Sequence, residues 1–173
     1  MKSRKNLVLT GMMGVGKSTV GKSLADKLSF KFKDIDKLIE MKEGCTIDII
    51  FKNKGENYFR SLENKITLNE LKKENIVVSL GGGAFLNNSI RRAVKDLSIS
   101  FWLDVKIDIL INRLKKNKKR PLLYKKNLIE TVKKIYLERK RTYSEADFKI
   151  RCESLKPELI VNKILDLYEN SRN

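Results

Sequence analysis

The chain has 173 residues, 41% of them hydrophobic, a size typical of one domain with a buried core. Its net charge is +17, but the basic residues are spread along the chain and no aromatic residues interleave with them as a stacking platform for bases would require. Composition and charge therefore argue against a nucleic-acid-binding protein, and the lack of any apolar run near 18 residues argues against a membrane-spanning one.

The first predicted elements are an apolar strand over residues 6–10 and a helix over residues 17–29, joined by a glycine-rich loop. Residues 11–18 have the sequence GMMGVGKS, which matches the P-loop pattern G-x-x-x-x-G-K-S at every position. The backbone N–H groups of such a loop, with the positive end of the helix behind them, bind phosphate oxygens. This segment therefore predicts a nucleoside triphosphate site.

Two side chains of the P-loop have predicted roles in that site. Lys17 can reach the β- and γ-phosphates, and Ser18 can place its hydroxyl on Mg²⁺. We expect Lys17 to lie on a solvent-facing loop, so that its removal would take charge from the phosphate site and not from the core.

A second strand is predicted over residues 30–34, where Phe30 and Phe32 alternate with lysines. Ligands of open α/β sheets bind at the carboxyl ends of the strands, so Asp34 and Asp36 can both face the phosphate site. One carboxylate can order Mg²⁺ and the other can accept a proton from a substrate hydroxyl. A role for Asp36 as the N-cap of the next helix is an alternative that is compatible with function.

The remaining predicted elements alternate between helix and strand. Two or three helical stretches cover about 36–73, strands are predicted at 76–80, 99–103 and 148–152, and helices at 88–97, 106–117, 128–145 and from Pro157 onward. Such βα alternation predicts an α/β fold with a parallel sheet, covered by helices on both faces, in a single domain over residues 1–173.

The strand at residues 76–80 ends in three glycines, residues 81–83. They permit a close approach of the backbone to a ligand, although a tight turn alone would also explain them. Ser79 stands where many P-loop enzymes have a metal-ordering aspartate, which favours Asp34 for that role.

Residue types that are absent from the chain, or isolated in it, limit which catalytic groups the protein can use. The chain has no histidine, which excludes Ser-His and Cys-His nucleophiles. Cys45 and Cys152 lack metal-ligand spacing, and we interpret them as incidental thiols. No signal-peptide pattern precedes the first strand, so we expect a cytoplasmic protein. The chemistry must then depend on carboxylates, Lys, Arg, backbone N–H groups and a hard cation.

The order of the motifs resembles the shikimate kinase family over essentially the whole chain. Beyond the P-loop and the D-x-D of residues 34–36, the chain matches that family's G-E-x-x-F-R-x-x-E at residues 55–63, its triple glycine at 81–83, its R-P-L-L lid at 120–123, and its R-x-x-x-Y at 139–143. Only the P-loop is widespread among NTPases, so the ordered set is highly specific.

The resemblance implies a nucleoside-monophosphate-kinase type of fold, with a five-stranded parallel sheet ordered 2-3-1-4-5. It also implies an ATP-dependent enzyme of aromatic amino-acid biosynthesis that phosphorylates shikimate to shikimate 3-phosphate. The helical segment at about 36–73 would bind the substrate, and a lid at about 115–126 would close over the nucleotide. We further expect a monomer that binds neither nucleic acid nor membranes.

The resemblance assigns roles to individual residues. The ATP phosphates would lie on Gly14, Val15, Gly16, Lys17, Ser18 and Thr19. Arg113 would lie against the adenine, Arg120 would close from the lid onto the phosphates, and Ser18 would bind Mg²⁺ with Asp34 behind it. Shikimate would be held by Asp36, Arg60, Gly82 and Arg139. The catalytic groups would be Lys17, Asp36 and Arg120.

Three alternatives stay open on the sequence alone. Arg141 stands where the family often has proline, so either Arg139 or Arg141 could clamp the substrate carboxylate. Another P-loop kinase, for gluconate or a nucleotide, is disfavoured by the F-R-x-x-E and triple-glycine motifs. A nucleotide-dependent regulatory protein is disfavoured because the full set of phosphoryl-transfer groups is present.

Glu63, one helical turn after Arg60, can pair with it and fix its direction.

Overall fold

The computed structural model describes residues 5–116, 127–152 and 156–171. All five strands run parallel in one sheet, in the order β2-β3-β1-β4-β5. They are β1 (Asn6–Thr10), β2 (Lys31–Asp34), β3 (Ile76–Ser79), β4 (Ser98–Asp104) and β5 (Phe148–Arg151). This order confirms the 2-3-1-4-5 sheet that the family resemblance implies.

The helices that flank this sheet follow the predicted alternation. They are α1 (Lys17–Leu28), α2 (Ile35–Glu43), α3 (Ile47–Leu71), α4 (Asn88–Leu97), α5 (Ile107–Lys116), α6 (Leu128–Tyr143) and α7 (Pro157–Asn170). Local signals explain several boundaries: the Asn87 side chain accepts from the backbone of Ser89 and Ile90 at the start of α4, and Pro157 occupies the first turn of α7.

Helix α3 is kinked at Gly55, whose φ of 79° interrupts the helical backbone. Positive φ carries little cost only for glycine, which explains why the break falls at this residue. Lys54 and Tyr58, on either side of the kink, both hydrogen-bond the Glu43 carboxylate at the end of α2. The predicted 36–73 region thus contains α2 and, after residues 44–46, the two segments into which the kink divides α3.

The core lies on both faces of the central strands. Every residue of β1 and β3 is buried, as expected for parallel strands covered by helices on each side. Asn6 is buried with its polar atoms satisfied: its amide donates to the carbonyls of Leu71 and Lys73, and its Oδ1 accepts from the Ile76 N–H. This one side chain ties β1 to the end of α3 and the start of β3.

The register brings three functional segments to one edge of the sheet. Leu9 of β1 and Asp34 of β2 both lie opposite Ser79 of β3. The segments that leave these strands are therefore neighbours: the P-loop after β1, helix α2 after β2, and the triple glycine after β3. Within the described ranges, no helix combines the length and the apolar character needed to cross a membrane.

Candidate active site

A cavity of about 630 Å³ opens at the carboxyl ends of β1, β2 and β3. It brings together most of the residues that the sequence singled out. Those lining it are Gly14, Gly16, Lys17, Ser18, Thr19, Asp34, Asp36, Arg60, Gly82 and Arg139. Residues predicted to hold nucleotide and residues predicted to hold the second substrate therefore share one cleft.

The P-loop turns tightly into α1, whose N-cap Gly16 has a φ of 102°. The next residue, Lys17, is only 8% exposed, and its Nζ donates to the carbonyls of Gly11 (2.9 Å) and Met12 (3.0 Å). The expectation of a solvent-facing position was wrong for this side chain, because it folds back across its own loop. Lys17 holds the loop together as well as placing positive charge in the cavity.

Ser18 and Asp34 form a compact oxygen pair. Ser18 Oγ donates to Asp34 Oδ2 at 2.6 Å, and the other carboxylate oxygen of Asp34 accepts from the Lys37 N–H at 3.4 Å. Asp34, not Asp36, is therefore the N-cap of α2, and the alternative role considered for Asp36 was wrong because the helix begins at Ile35.

The Ser18–Asp34 pair suits Mg²⁺. This cation prefers hard oxygen ligands, keeps several waters, and takes only one or two carboxylates from a protein. No cluster of three or more His, Cys, Asp or Glu able to hold a metal occurs in the described ranges. A Mg²⁺ site in which the protein supplies only one hydroxyl and one carboxylate is compatible with that finding.

Two carboxylates and a guanidinium lie so close to the triple glycine that they leave no room for a Cβ at two of its positions. A Cβ on Gly81 would lie 2.6 Å from both Asp36 Oδ1 and Glu63 Oε1, and a Cβ on Gly83 would lie 2.7 Å from Arg60 Nη1. Real Cβ atoms essentially never come so close to another atom, so a side chain at either position would require these carboxylates or this guanidinium to move. The structure shows this close approach for the protein's own side chains, and approach to a ligand stays a prediction.

Arg60 is aimed at the cavity by its neighbours on α3. Its Nη1 donates to Glu63 Oε2 at 2.7 Å, as the one-turn spacing predicted, and its guanidinium lies 5.1 Å from the ring centroid of the buried Phe59. Glu63 is 2% exposed, and its Oε1 has no hydrogen-bond partner in the described part of the chain. Burial raises the pKa of the Glu63 carboxyl, and the adjacent Arg60 offsets part of that rise.

Arg139 enters the cleft from α6, and its Nη1 donates to the Gly82 carbonyl at 2.8 Å. The hydroxyl of Tyr143, one turn further along α6, donates to the same carbonyl. Arg141 is exposed and does not line the cavity. The geometry therefore favours Arg139 over Arg141 as the residue that faces a substrate.

Two residues expected at the nucleotide do not line the cavity, and a third falls outside the described residues. Val15, within the P-loop, has a buried side chain and does not line the cavity. Arg113 is exposed, with Nη1 3.4 Å from the Val15 carbonyl, so it lies beside the P-loop but not in the cleft. Arg120, with residues 117–126 of the predicted lid, lies outside the described residues.

Sequence reasoning missed several residues of the cavity wall: Glu40, Asp48, Phe51, Thr131 and Ile135. They come from helices whose facing could not be deduced without the tertiary packing. It also assigned no role to Tyr143, although the i, i+4 spacing from Arg139 places both on one face of α6 and could have indicated a shared contact.

Comparison with known proteins gives a consistent result. A family model described as "Shikimate kinase" matches residues 13–169. The chain is 47% identical over 161 residues to a shikimate kinase from Sulfurihydrogenibium sp. (strain YO3AOP1), covering 93% of this chain and 96% of that protein. It is 45% identical to one from Persephonella marina, covering 93% and 97%.

A solved structure is similarly close. The shikimate kinase from Acinetobacter baumannii in complex with shikimate superposes with a TM-score of 0.92 at 32% identity, covering 96% of this chain and 94% of that one.

Proposed function

The chain belongs to the shikimate kinase family, and we propose that the cleft described above is where it transfers the γ-phosphoryl group of ATP to shikimate. The enzyme uses ATP and Mg²⁺ and forms shikimate 3-phosphate in the biosynthesis of aromatic amino acids. The observation that carries the assignment of the cleft is that positively charged side chains line two separate parts of it. The P-loop lysine lines one part of it, and Arg60 and Arg139 flank the triple glycine in another.

Arg60 and Arg139 bind the carboxylate of shikimate. A planar guanidinium can make two parallel N–H···O bonds to a carboxylate, a geometry that lysine cannot copy. Glu63 fixes the direction of Arg60 through the 2.7 Å ion pair. Arg139 donates to a neutral group, the Gly82 carbonyl, and forms no ion pair within the described residues, so it can turn to an anionic ligand without breaking one there.

Asp36 orients the attacking hydroxyl and accepts its proton. It lies in the first turn of α2 and lines the cavity beside Gly81. The hydroxyl oxygen bonds to the γ-phosphorus while the bond from that phosphorus to the bridging oxygen of ADP breaks. Because this transfer requires little covalent chemistry from the protein, the main contributions of the chain are positioning and charge stabilisation.

The phosphates lie along the backbone of residues 14–19, within reach of Lys17. Ser18 and Asp34, joined by their hydrogen bond, would hold Mg²⁺. Bound there, Mg²⁺ supplies positive charge that offsets the charge of the phosphate oxygens. Lys17 supplies a second positive charge from the protein itself.

We assign Arg113 to the adenine and Arg120 to the phosphates on the basis of the family motifs. The position of Arg113 beside the P-loop is compatible with the first assignment. Arg120 belongs to a lid at about 115–126 that closes over the nucleotide and excludes water before transfer.

We further propose that residues 1–173 form a single kinase domain, with 36–73 as its substrate-binding segment, and that the enzyme is a cytoplasmic monomer. Cys45 and Cys152 are both free thiols, as is usual in a reducing compartment.

A substrate panel tests the proposed function. ADP release with ATP and Mg²⁺ should be stimulated by shikimate and not by gluconate or a nucleoside monophosphate. Stimulation by either of the other acceptors with none by shikimate would contradict the assignment.

A further inference from the structure

The Gly82 carbonyl accepts hydrogen bonds from two side chains of α6. Arg139 Nη1 donates at 2.8 Å, and the Tyr143 hydroxyl donates at short range. The two donors differ in exposure: Arg139 is half-buried and lines the cavity, whereas Tyr143 is fully buried.

Tyr143 is fixed by packing under the P-loop. Its ring lies 6.0 Å from that of Trp102, centroid to centroid, and its hydroxyl is 3.9 Å from Met12 Sδ. Burial raises the pKa of this hydroxyl, so it keeps its proton and remains a donor across the physiological range. The residue therefore connects the P-loop, the triple-glycine loop and α6 at one point.

We propose that Tyr143 is a positioning residue that keeps the Gly82 peptide satisfied and in place when Arg139 leaves it for the carboxylate of the substrate. The proposal rests on the function given above, in which Arg139 binds that carboxylate. Tyr143 does not touch the substrate; it acts through Gly82.

The physical reason is the cost of an unpaired carbonyl. When Arg139 turns away, Gly82 loses one of its two donors, and a half-buried carbonyl without any donor is unfavourable. With the Tyr143 hydroxyl in place the cost is avoided, and Arg139 is released to the substrate. Without it, binding of substrate would require either an unpaired Gly82 carbonyl or an Arg139 that stays on Gly82.

Tyr143→Phe tests this, because it removes the hydroxyl and keeps the ring that packs against Trp102. We expect kcat/KM for shikimate to fall about tenfold through a raised KM, with the KM for ATP and the melting temperature close to those of the wild type. An unchanged KM for shikimate would overturn the proposal. Equal losses for both substrates would overturn it as well, since they would indicate a general structural role.

Tyr168→Phe is a matched control. Tyr168 is also fully buried, and its hydroxyl donates at 2.8 Å to a backbone carbonyl, that of Lys5, before β1 and away from the cavity edge. It should leave the KM for shikimate unchanged. An equal rise in that KM would show that loss of any buried tyrosine hydroxyl has this effect and would overturn the proposal.

A double-mutant cycle with Arg139→Ala provides the sharpest test. In that background Arg139 never donates to Gly82, so removing the Tyr143 hydroxyl affects free and substrate-bound enzyme alike. Adding Tyr143→Phe should then change kcat/KM for shikimate by less than about twofold. A further tenfold loss would show that Tyr143 acts independently of Arg139.

The wild-type measurement separates this proposal from the proposed function. If the wild type does not phosphorylate shikimate, the function is wrong. If it does and the Tyr143→Phe variant matches it, only the role of Tyr143 is wrong.

Discussion

Ser18 Oγ donates a 2.6 Å hydrogen bond to Asp34 Oδ2, joining the first turn of α1 to the end of β2. The two oxygens are thereby held together on the wall of the cleft, ready for a cation that binds one hydroxyl and one carboxylate. Asp34 also caps α2, so the proposed metal site and the helix that carries Asp36 are positioned by the same side chain.

Asp34→Asn and Asp36→Asn should have different effects. Asn is as good an N-cap as Asp, so the first variant keeps α2 but weakens Mg²⁺ binding, and we expect its activity to require a higher Mg²⁺ concentration. The second variant removes the proposed base and should lower kcat by about 10²–10⁴-fold with ATP binding retained. Metal titrations of both variants measure this, and identical Mg²⁺ curves would contradict the division of roles.

Lys17→Ala should lower kcat by at least about 10²-fold, because it removes a positive charge from the phosphate site. Lys17 also bonds the carbonyls of Gly11 and Met12, so we expect the melting temperature to fall by a few degrees, roughly 2–4 °C for each 1 kcal/mol lost. Lys22→Ala, at an exposed position of the same helix, is the control. Wild-type turnover in the Lys17→Ala variant would refute the P-loop assignment.

The lid assignment makes a prediction for the segment at about 115–126. Its polar sequence lacks a regular apolar pattern and contains Arg120, as expected of a segment that orders over bound nucleotide. Amide hydrogen exchange in this segment should slow when an ATP analogue and shikimate are added together, while exchange in α7 stays the same. Unchanged exchange in the segment would count against a lid.

The two thiols should differ in reactivity. Cys152 is 1% exposed, and burial raises the pKa of its thiol to about 11, whereas Cys45 is half-buried. The thiolate is the reactive form, so Cys152 should react much more slowly than Cys45 with iodoacetamide at pH 8, and its rate should still be rising above pH 9. Mass spectrometry of the modified chain measures this. The urea-unfolded chain is the control, in which the two thiols should react at equal rates. Equal modification rates of Cys45 and Cys152 in the folded protein as well would contradict the prediction.

Local signals in the sequence predicted most of the fold. The helix predicted at residues 88–97 has those bounds in the structure, because Asn87 caps its start and a strand follows at once. The P-loop likewise requires only a strand, glycines and a helix in order. These features depend on neighbouring residues, which a sequence displays directly.

What the sequence could not predict depends on contacts between distant segments. The burial of Lys17 follows from the path of the folded loop, and the contact of Tyr143 with Gly82 joins residues far apart in the chain. The N-cap of α2 was misplaced because Asp34 and Asp36 are both good caps, and only the register of β2 decides where the strand ends.

Replacing Arg60 or Arg139 by Lys keeps the charge and removes the planar fork. We expect kcat/KM for shikimate to fall by an amount equivalent to about 2–4 kcal/mol, with little change in the KM for ATP. Arg141→Lys is the matched control, since Arg141 is exposed and outside the cavity, and it should behave like the wild type. A loss in the Arg141 variant comparable to that of Arg139→Lys would transfer the role to Arg141.

The most direct test of the account compares shikimate with an analogue whose carboxylate is reduced to an alcohol. The measured quantity is the ratio of kcat/KM for the two acceptors, in the wild type and in the Arg139→Ala variant. The account predicts a strong preference of the wild type for the acid and a much smaller preference in the variant. Equal preference for the acid in both enzymes would contradict it, because Arg139 would then not recognise the carboxylate of shikimate.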